Sequence, residues 1–392
     1  MYRINVEKAG PRLRGDHVLI ASIFLLTGLG LVTLYSASYA FGERFFEDGR
    51  YFISRQLILG AIGLAFFFPV SRFKPESLRK LMIPLVLGTI ILCLLTFVPG
   101  IGIAKNGAAR WIRFGSYTYQ PSELVKLVLP LYLAHIFDKK QEELHSFASG
   151  ILPQVLITTL FFVLIYYQNN FSTAVFIVVN ALFIFFLAGV RIRYFIAMLV
   201  ILLPVASLLI LTKAHRLRRF ASFLLPDWDP QGAGYQVRSS LLTIASGQFW
   251  GKGIGQGTRK IASVPEIHSD FIFSSFAEES GFLGVILFFV LFGIFAVQGY
   301  RGALRQESVF RRLAVFGLVT MIVSQALLNV AVVVGALPAT GIPLPFFSAG
   351  GSSLATTLVM AALVVNISRL PTGSRIPVEA SFVNAGGADY VR

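Results

Sequence analysis

The chain has 392 residues, of which 55% are hydrophobic and only 14% charged, with a formal net charge of +15. Soluble domains carry roughly 25% charged residues, so the composition excludes an ordinary soluble protein and indicates a polytopic membrane protein. With this hydropathy, the positive charge favours anionic lipid and lipid-linked phosphate over nucleic acid as partners. Cys93 is the only cysteine, which excludes an intrachain disulfide and a multi-cysteine zinc site.

Hydropathy predicts ten transmembrane helices, and the predicted fold is therefore an all-α, polytopic membrane protein. The first apolar stretch exceeds a signal-peptide core and lacks a small-residue cleavage site, which favours a retained span. The predicted segments are an N-terminal tail (1–17), a membrane domain (18–369) with a large outer loop at about 213–269 between helices 7 and 8, and a C-terminal tail (370–392). The predicted spans lie near 18–40, 53–71, 80–99, 122–137, 150–167, 171–189, 192–212, 270–297, 313–337 and 347–368.

The placement of lysine and arginine predicts a multi-pass protein of the plasma membrane with both termini in the cytoplasm. Two outer loops, 100–121 and 213–268, depart from the usual rule because they are rich in basic residues. One interpretation is that these loops coat the lipid surface, since long loops are translocated across the membrane regardless of their charge. The other is that they form a cation-lined site for a phosphorylated substrate. Their eleven basic residues are Lys105, Arg110, Arg113, Lys213, Arg216, Arg218, Arg219, Arg238, Lys252, Arg259 and Lys260, and their acids are Asp227, Asp229 and Glu266.

A first polar cluster spans the first of these loops and the helix that follows it. Trp111 stands between Arg110 and Arg113, where an indole either anchors at the membrane interface or offers a stacking face to a sugar. Glu123 and Lys126 are three residues apart, so they share a helix face and can pair. The pair either locks the helix end or marks a functional site inside the membrane.

Asp270 lies where the longest polar loop enters an apolar helix, and a carboxylate there is costly unless it is solvated, paired or used. Helical spacing places Asp270, Ser274 and Glu278 on one stripe that faces the bundle interior. His268 can tune Asp270 or cap the helix, and Ser269 or Asp270 can serve simply as a cap. A zinc site of His, Asp and Glu matches no standard spacing, so no metal site is predicted.

Two glycine-rich segments occur in the second half of the chain. The segment 246–257, which contains Lys252, can form an anion-binding nest, although an irregular surface loop explains it equally well. The segment 337–353 combines proline, glycine and Ser352. Such backbone is tolerated at membrane depth only where it is buried in protein or lines a cavity, and its glycines also permit tight helix packing.

Five stretches in this order resemble the SEDS family (shape, elongation, division and sporulation), whose best-known members are FtsW and RodA. Each motif is short, but five in order are specific, and the resemblance runs from about residue 15 to 370. The stretches are Ala-Arg-Trp-Ile at 109–112, Gln-Pro-Ser-Glu-Leu at 120–124, Asp-Pro-Gln-Gly-Ala-Gly-Tyr-Gln at 229–236, Pro-Glu-Ile-His-Ser-Asp-Phe-Ile-Phe at 265–273 and Gly-Gly-Ser-Ser at 350–353.

The resemblance implies a peptidoglycan glycosyltransferase that polymerises lipid II at the outer face of the membrane. Residues 106–113 resemble the division branch, and a RodA-like role in elongation is the alternative. A lipid II flippase, another membrane glycosyltransferase and a scaffold are rival classes, although no paired broken helices support a transporter. By resemblance, Asp270 is the catalytic residue, whose carboxylate accepts a sugar hydroxyl proton as a general base. The residues expected to bind substrate are Trp111, Arg110, Glu123, Lys126, His268, Lys252 and Ser352.

The implied partners are lipid II, a class B penicillin-binding protein with transpeptidase activity, and other divisome or elongasome membrane proteins. The chain has no serine-acylation motif, so cross-linking must come from such a partner. A divalent cation, Mg²⁺ or Mn²⁺, is the candidate cofactor because it would offset charge on the diphosphate leaving group. Three positions depart from the family pattern: Asn170 stands where an acid is familiar, Ala349 replaces a tyrosine, and Ser269 replaces the commoner threonine.

Overall fold

The structure is a computed structural model that describes residues 14–105, 107–225, 232–258 and 267–370. In a bilayer core, backbone N–H and C=O groups must be paired within the segment, and long apolar runs therefore form helices. The α-helices are α1 (Arg14–Phe46), α2 (Tyr51–Val70), α3 (Pro75–Lys80), α4 (Met82–Leu95), α5 (Pro121–Lys139), α6 (Leu152–Tyr167), α7 (Phe171–Leu187), α8 (Ile192–Leu211), α9 (Ala214–Leu224), α10 (Ala233–Ser246), α11 (Ile272–Leu304), α12 (Val309–Val333) and α13 (Gly351–Ser368). The strands are β1 (Gly102–Lys105), β2 (Ala108–Phe114) and β3 (Tyr117–Tyr119). A 3₁₀ turn (Gln141–His145) and a π-type turn (Phe147–Ile151) precede α6.

Each of the ten predicted spans coincides with a helix. Within the described residues, seven helices are long and apolar enough to cross a membrane: α1, α2, α6 with its preceding π-type turn, α8, α11, α12 and α13. A polytopic membrane protein is therefore confirmed. Helices α4 and α7 are apolar but shorter, and α5 does not meet the same criteria. The count of ten spans accordingly stays a prediction.

The helix ends differ from their predicted positions at two places that matter. Helix α1 begins at Arg14, inside the segment 1–17 that was expected to be a tail. Helix α11 begins at Ile272, so Asp270 precedes it. The rest of the N-terminal tail (1–13), most of the C-terminal tail (371–392) and parts of the large loop (226–231 and 259–266) lie outside the described residues.

The expectation of an all-α fold is wrong in the loop 100–121, which folds into a three-stranded antiparallel sheet in the order β1-β2-β3. Ile103 pairs with Trp111, and Ile112 pairs with Tyr119. Aromatic and β-branched residues favour strands because they pack well on a pleated surface. The segment's Trp, Ile and Tyr residues carried this signal, which a hydropathy window does not register.

The large loop 213–269 also contains regular structure, in α9 and α10. Leu217, Phe220 and Leu224 form an exposed apolar stripe on α9, and Arg218 lies on the opposite face by helical spacing. A helix of this composition is suited to lie in the plane of the membrane interface.

The core of the bundle is built from α12 and α13, which are the most deeply buried of the candidate spans. Helix α13 packs against α2, α12 packs against α5, and α1 packs against α11. Helix α8 lies at the edge, with none of its apolar window buried, and its main contact is with α9. This arrangement leaves the core rigid beneath the loops that carry the candidate site.

Candidate active site

The candidate site lies at one end of the bundle, where segments distant in sequence meet. The backbone of 267–270 is joined to the loop 338–350 by two hydrogen bonds: the amide of Ala349 donates to the carbonyl of His268 at 2.9 Å, and the Ser348 hydroxyl donates to the carbonyl of Ser269 at 2.6 Å. These bonds hold the turn that carries Asp270 against the loop, so the carboxylate is presented from a fixed backbone.

Asn329, on α12, makes a hydrogen bond to Asp270 itself. Its side-chain amide donates to the Asp270 carbonyl at 2.9 Å and to the Ile342 carbonyl at 2.8 Å. Gly341 has a φ of 74°, and a Cβ at this position would lie 3.3 Å from Oδ2 of Asp270. The loop backbone therefore passes beside the carboxylate, and glycine permits both the conformation and the approach. The Asp270 side chain is half-buried.

The start of α11 does not depend on Asp270 or Ser269 as an N-cap. The N-cap residue is Phe271, which makes no side-chain cap hydrogen bond. Ser274 and Glu278 are fully buried on α11, as the predicted stripe requires, but Asp270 precedes the helix and is not part of that stripe. Capping of the helix therefore does not account for an acid at position 270.

Arg110 interacts electrostatically with both Asp270 and Arg219. Arg110 lies on β2, outside the membrane spans, and burial lowers the pKa of its guanidinium. The like charge of Arg219 lowers that pKa further, whereas the opposite charge of Asp270 raises it. Arg110 is therefore within electrostatic reach of one carboxylate and one further cation. The residues come from β2, α9 and the turn before α11.

Arg110 is held in place by the corner between α6 and α7. Its guanidinium donates to the carbonyl of Asn169, whose side chain donates to the carbonyl of Gly107 at 2.7 Å. The guanidinium carbon also lies 5.9 Å from the Trp111 ring centroid, a cation–π distance. The buried Nε of Arg110 makes no hydrogen bond within the described residues.

Glu123 and Lys126 form the predicted pair, with 2.8 Å between Nζ and Oε1, and both side chains are buried. Lys126 also donates to Oε1 of Gln325 at 2.9 Å, and Gln325 donates to the carbonyl of Pro343 at 2.8 Å. The pair thus connects α5 through α12 to the loop beside Asp270. It lies one side chain away from the site, and its expected contact with substrate stays a prediction.

Two of the remaining expected substrate residues lie in the packing around the site. His268 is buried, with its ring centroid 4.8 Å from that of Phe41 and 4.4 Å from that of Phe52. Ser352 accepts a hydrogen bond from the Gln120 amide at 3.2 Å, and its hydroxyl oxygen is 3.3 Å from the carbonyl of Thr118. Ser352 thereby fastens the sheet to the start of α13. Substrate contact by either residue stays a prediction.

Lys252 forms a salt bridge with Glu278, with 2.6 Å between Nζ and Oε1. The adjacent backbone is attached to α11 by two hydrogen bonds of 3.0 Å. The amide of Lys252 donates to the carbonyl of Glu278, and the amide of Gly253 donates to the carbonyl of Glu279. In this geometry the lysine neutralises a buried carboxylate. Its expected role as a phosphate ligand therefore competes with a structural one.

Sequence reasoning missed the amides that organise the site: Asn329, Gln325 and Gln56. Gln56 donates to the Ser348 carbonyl at 3.0 Å and accepts from the Gly350 amide at 3.3 Å. Each amide is a polar residue within an apolar span, and such residues are costly in a bilayer unless partnered. That cost was the signal that could have identified them.

No group of three or more His, Cys, Asp and Glu side chains is arranged to hold a metal ion in the described parts of the chain. Around Asp270 these parts provide one carboxylate and two guanidinium groups, which do not fit a resident Mg²⁺ or Mn²⁺ because such ions prefer several oxygen ligands. A divalent cation stays a prediction based on the chemistry of diphosphates.

Comparison with known proteins gives consistent results. The sequence model of the family of FtsW, RodA and SpoVE, described as "Cell cycle protein", matches residues 16–372. The chain is 38% identical to "Probable peptidoglycan glycosyltransferase FtsW" of Geobacter sp. strain M18 over 359 residues, which cover 92% of this chain and 98% of the relative.

Two solved structures are similar over most of the chain. One is described by the words "Structural coordination of polymerization and crosslinking by a peptidoglycan synthase complex"; its chain has a TM-score of 0.74, is 27% identical, and is matched over 90% of this chain and 96% of its own length. The other is the rod shape determining protein RodA of Thermus thermophilus, with a TM-score of 0.65 and 26% identity over 90% of this chain and 95% of that one.

Proposed function

The chain belongs to the FtsW, RodA and SpoVE family of cell cycle proteins, and we propose that Asp270, Arg110 and Arg219 form the active site of its peptidoglycan glycosyltransferase activity in cell division. The observation that carries the assignment is the half-buried Asp270 carboxylate, which lies on a hydrogen-bonded turn within electrostatic reach of Arg110, as Arg219 is. An acid for proton transfer and cations for a leaving group are the elements that glycosyl transfer from a lipid diphosphate requires.

The proposed substrate is lipid II, whose disaccharide is joined to a lipid diphosphate. Asp270 accepts the proton of the acceptor sugar hydroxyl while the oxygen of that hydroxyl bonds to the anomeric carbon of the donor chain. The bond between that carbon and the diphosphate breaks, and the bonding electrons leave with the diphosphate. Arg110 and Arg219 offset the added negative charge. The product is a glycan strand lengthened by one unit and a free lipid diphosphate.

We place the reaction at the outer face of the plasma membrane, with both termini of the chain in the cytoplasm. The sheet, α9, α10 and the turn of Asp270 lie at the same end of the bundle as the two basic loops. The opposite end carries Arg79, Arg311 and the short helix α3, where Arg79 pairs with Asp138 at 2.6 Å. Basic segments between adjacent spans are characteristic of the cytoplasmic side.

The proposed partner is a class B penicillin-binding protein, together with other membrane proteins of the division machinery. One solved relative belongs to a synthase complex that coordinates polymerization and crosslinking. Polymerisation by this chain would need a transpeptidase of that kind to cross-link the product. A role in division is favoured over elongation because identity reaches 38% with an FtsW relative and 26% with RodA.

The activity is tested with the purified full-length chain and its partner in liposomes that contain lipid II, with glycan strands separated on a gel. We expect the wild-type chain to polymerise and Asp270→Asn to be slower by about 100-fold or more, the usual contribution of a general base. Melting temperature and partner binding of the variant serve as the folding control. Full polymerisation by Asp270→Asn would remove the general-base assignment, and lipid II translocation without polymer would identify a transporter.

A further inference from the structure

A cavity of about 280 Å³ lies between α9, α10 and the segment 334–339 that follows α12. We call it the α9–α10 cavity. Its lining is mainly apolar, with Ser222 and two arginines, one from α9 and one from α10, as the polar side chains. The lining residues that matter for its chemistry are Arg219, Arg238, Phe223, Leu241, Val334 and Leu337.

Both walls of the α9–α10 cavity are anchored to the bundle. On the α9 side, the Arg216 guanidinium lies 4.7 Å from the ring centroids of Tyr166 and Phe171 and donates to the Leu209 carbonyl at 2.9 Å. On the other side, the Ser240 hydroxyl of α10 donates to a carbonyl at the end of α12 at 2.8 Å. The space is therefore bounded by helices with defined positions.

The α10 wall approaches the end of α12 closely because a glycine stands between them. Gly335 has a φ of 71°, and a Cβ there would lie 3.0 Å from Cγ1 of Val237. A larger residue would push α10 away and change the width of the cavity. The glycine thus contributes to the shape of the α9–α10 cavity.

Within the described ranges, neither Arg219 nor Arg238 forms an ion pair with a carboxylate. Among the same residues, the Arg219 guanidinium makes one long hydrogen bond, 3.5 Å to the carbonyl of Ala339. Two cations beside an apolar surface form a site for an anion that carries a hydrocarbon chain, since guanidinium groups bind phosphate oxygens in pairs.

The volume limits the size of the ligand. Whole small-molecule sites usually measure about 300–1,000 Å³, so 280 Å³ is just below that range. A phosphate or diphosphate group with the first part of its chain fits this volume better than a complete sugar-linked lipid. Arg219, which lines the cavity, also interacts electrostatically with Arg110, and Arg110 interacts with Asp270, which places the cavity near the proposed site of reaction.

We propose that the α9–α10 cavity binds the diphosphate of an isoprenoid lipid, with Arg219 and Arg238 on the phosphates and Phe223, Leu241 and Leu337 against the first isoprene unit. This inference rests on the proposed function for the identity of the ligand, because a bilayer phospholipid also combines phosphate with hydrocarbon. Two phosphates favour the diphosphate, since each guanidinium then has a phosphate of its own. Arg238 would be a binding residue that the catalytic scheme does not use.

The test measures binding of farnesyl diphosphate to the full-length chain in phosphatidylcholine nanodiscs. We expect Arg238→Ala to weaken binding by about tenfold, which equals about 1.4 kcal/mol. The matched control is Arg218→Ala, because Arg218 lies on the same exposed region and does not line the cavity. It should bind as the wild type does. Leu241→Trp fills the cavity without changing charge and should also weaken binding.

Equal weakening by Arg238→Ala and Arg218→Ala would show attraction to surface charge alone and overturn the proposal. Loss of farnesyl diphosphate binding when phosphatidylglycerol replaces part of the phosphatidylcholine would assign the cavity to bilayer phospholipid and would also overturn it. The assay contains no sugar and requires no polymerisation. A chain that binds the diphosphate but makes no glycan would therefore refute the proposed function only, whereas an active polymerase that does not bind it would refute this inference only.

Discussion

The side-chain amide of Asn329 donates a 2.9 Å hydrogen bond to the backbone carbonyl of Asp270, although the two residues are 59 positions apart in the chain. The same amide holds the carbonyl of Ile342 at 2.8 Å. One buried side chain thus sets the position of the proposed base relative to the loop 338–350. Helix α12 therefore holds the turn that carries Asp270 in position.

We therefore predict that Asn329→Ala lowers kcat by about tenfold or more with little change in KM for lipid II, because displacement of a catalytic group affects the transition state more than binding. The measurement is steady-state glycan polymerisation at several lipid II concentrations. Ser324→Ala is the control on the same helix, since Ser324 bonds to Asn180 at 2.9 Å, away from the site. A rise in KM alone would indicate that Asn329 contacts substrate instead.

The buried pair of Glu123 and Lys126 should behave as one unit. Removal of either charge leaves the other unpaired in a buried site, which costs about 3–5 kcal/mol. Lys126→Met and Glu123→Gln should each lower the melting temperature more than the double variant does. The check is thermal unfolding of the purified chain in detergent, read as a double-mutant cycle. Additive losses in the double variant would contradict a coupled pair.

The glycine-rich segment 247–258 should be intolerant of side chains where it docks on α11. A Cβ at Gly251 would lie 2.2 Å from the carbonyl oxygen of Glu279, and Gly251 has a φ of 80°. Gly255 has a similar φ of 82° but no atom within 4 Å of its Cβ position. Gly255→Ala should therefore show only backbone strain, about 1–2 kcal/mol, and Gly251→Ala a larger loss.

Comparing the melting temperatures of Gly251→Ala and Gly255→Ala separates the cost of backbone strain from the cost of the steric clash with α11. Equal losses would mean that the docking contact contributes nothing beyond the backbone conformation.

Arg110 should contribute to substrate affinity through its charge. Its buried Nε makes no hydrogen bond among the described residues, and its guanidinium is within electrostatic reach of Asp270. Arg110→Ala should weaken lipid II binding by about tenfold, because a charge-assisted hydrogen bond contributes about 1.5–3 kcal/mol. Arg113→Ala is the control, since Arg113 is exposed on the same strand. If Arg110→Ala binds lipid II with unchanged affinity, the role of Arg110 is limited to its structural hydrogen bond with Asn169.

Much of the fold could be predicted from sequence because hydrophobicity acts locally on helix formation. The helices α2, α6, α7 and α8 begin and end within about three residues of their predicted limits. The sheet at 102–119 could not be predicted in the same way, since strand pairing depends on partners as well as on composition. The start of α11 was also missed, because the preceding turn is set by hydrogen bonds to α12 and to the loop 338–350.

The candidate site shows the same division. Asp270, Arg110 and the pair of Glu123 and Lys126 stand out in the sequence because charged residues near membrane helices are costly. Eleven basic residues in two loops also predict that an anion is bound. The sequence alone cannot show which of these basic residues lie near Asp270, since all carry the same charge and the loops are long.

The amino-acid sequence by itself determined that the chain spans a membrane, that it belongs among the polymerases of the cell wall, and that an acid stands beside basic loops. Only the tertiary structure decided that Arg110 interacts with both Asp270 and Arg219, that Arg238 lines a cavity, and that Asn329 holds the turn of the proposed base. The physical reason is that hydropathy and charge are properties of short segments. Hydrogen bonds and cavities arise between residues that are far apart in the chain and meet only when the helices pack.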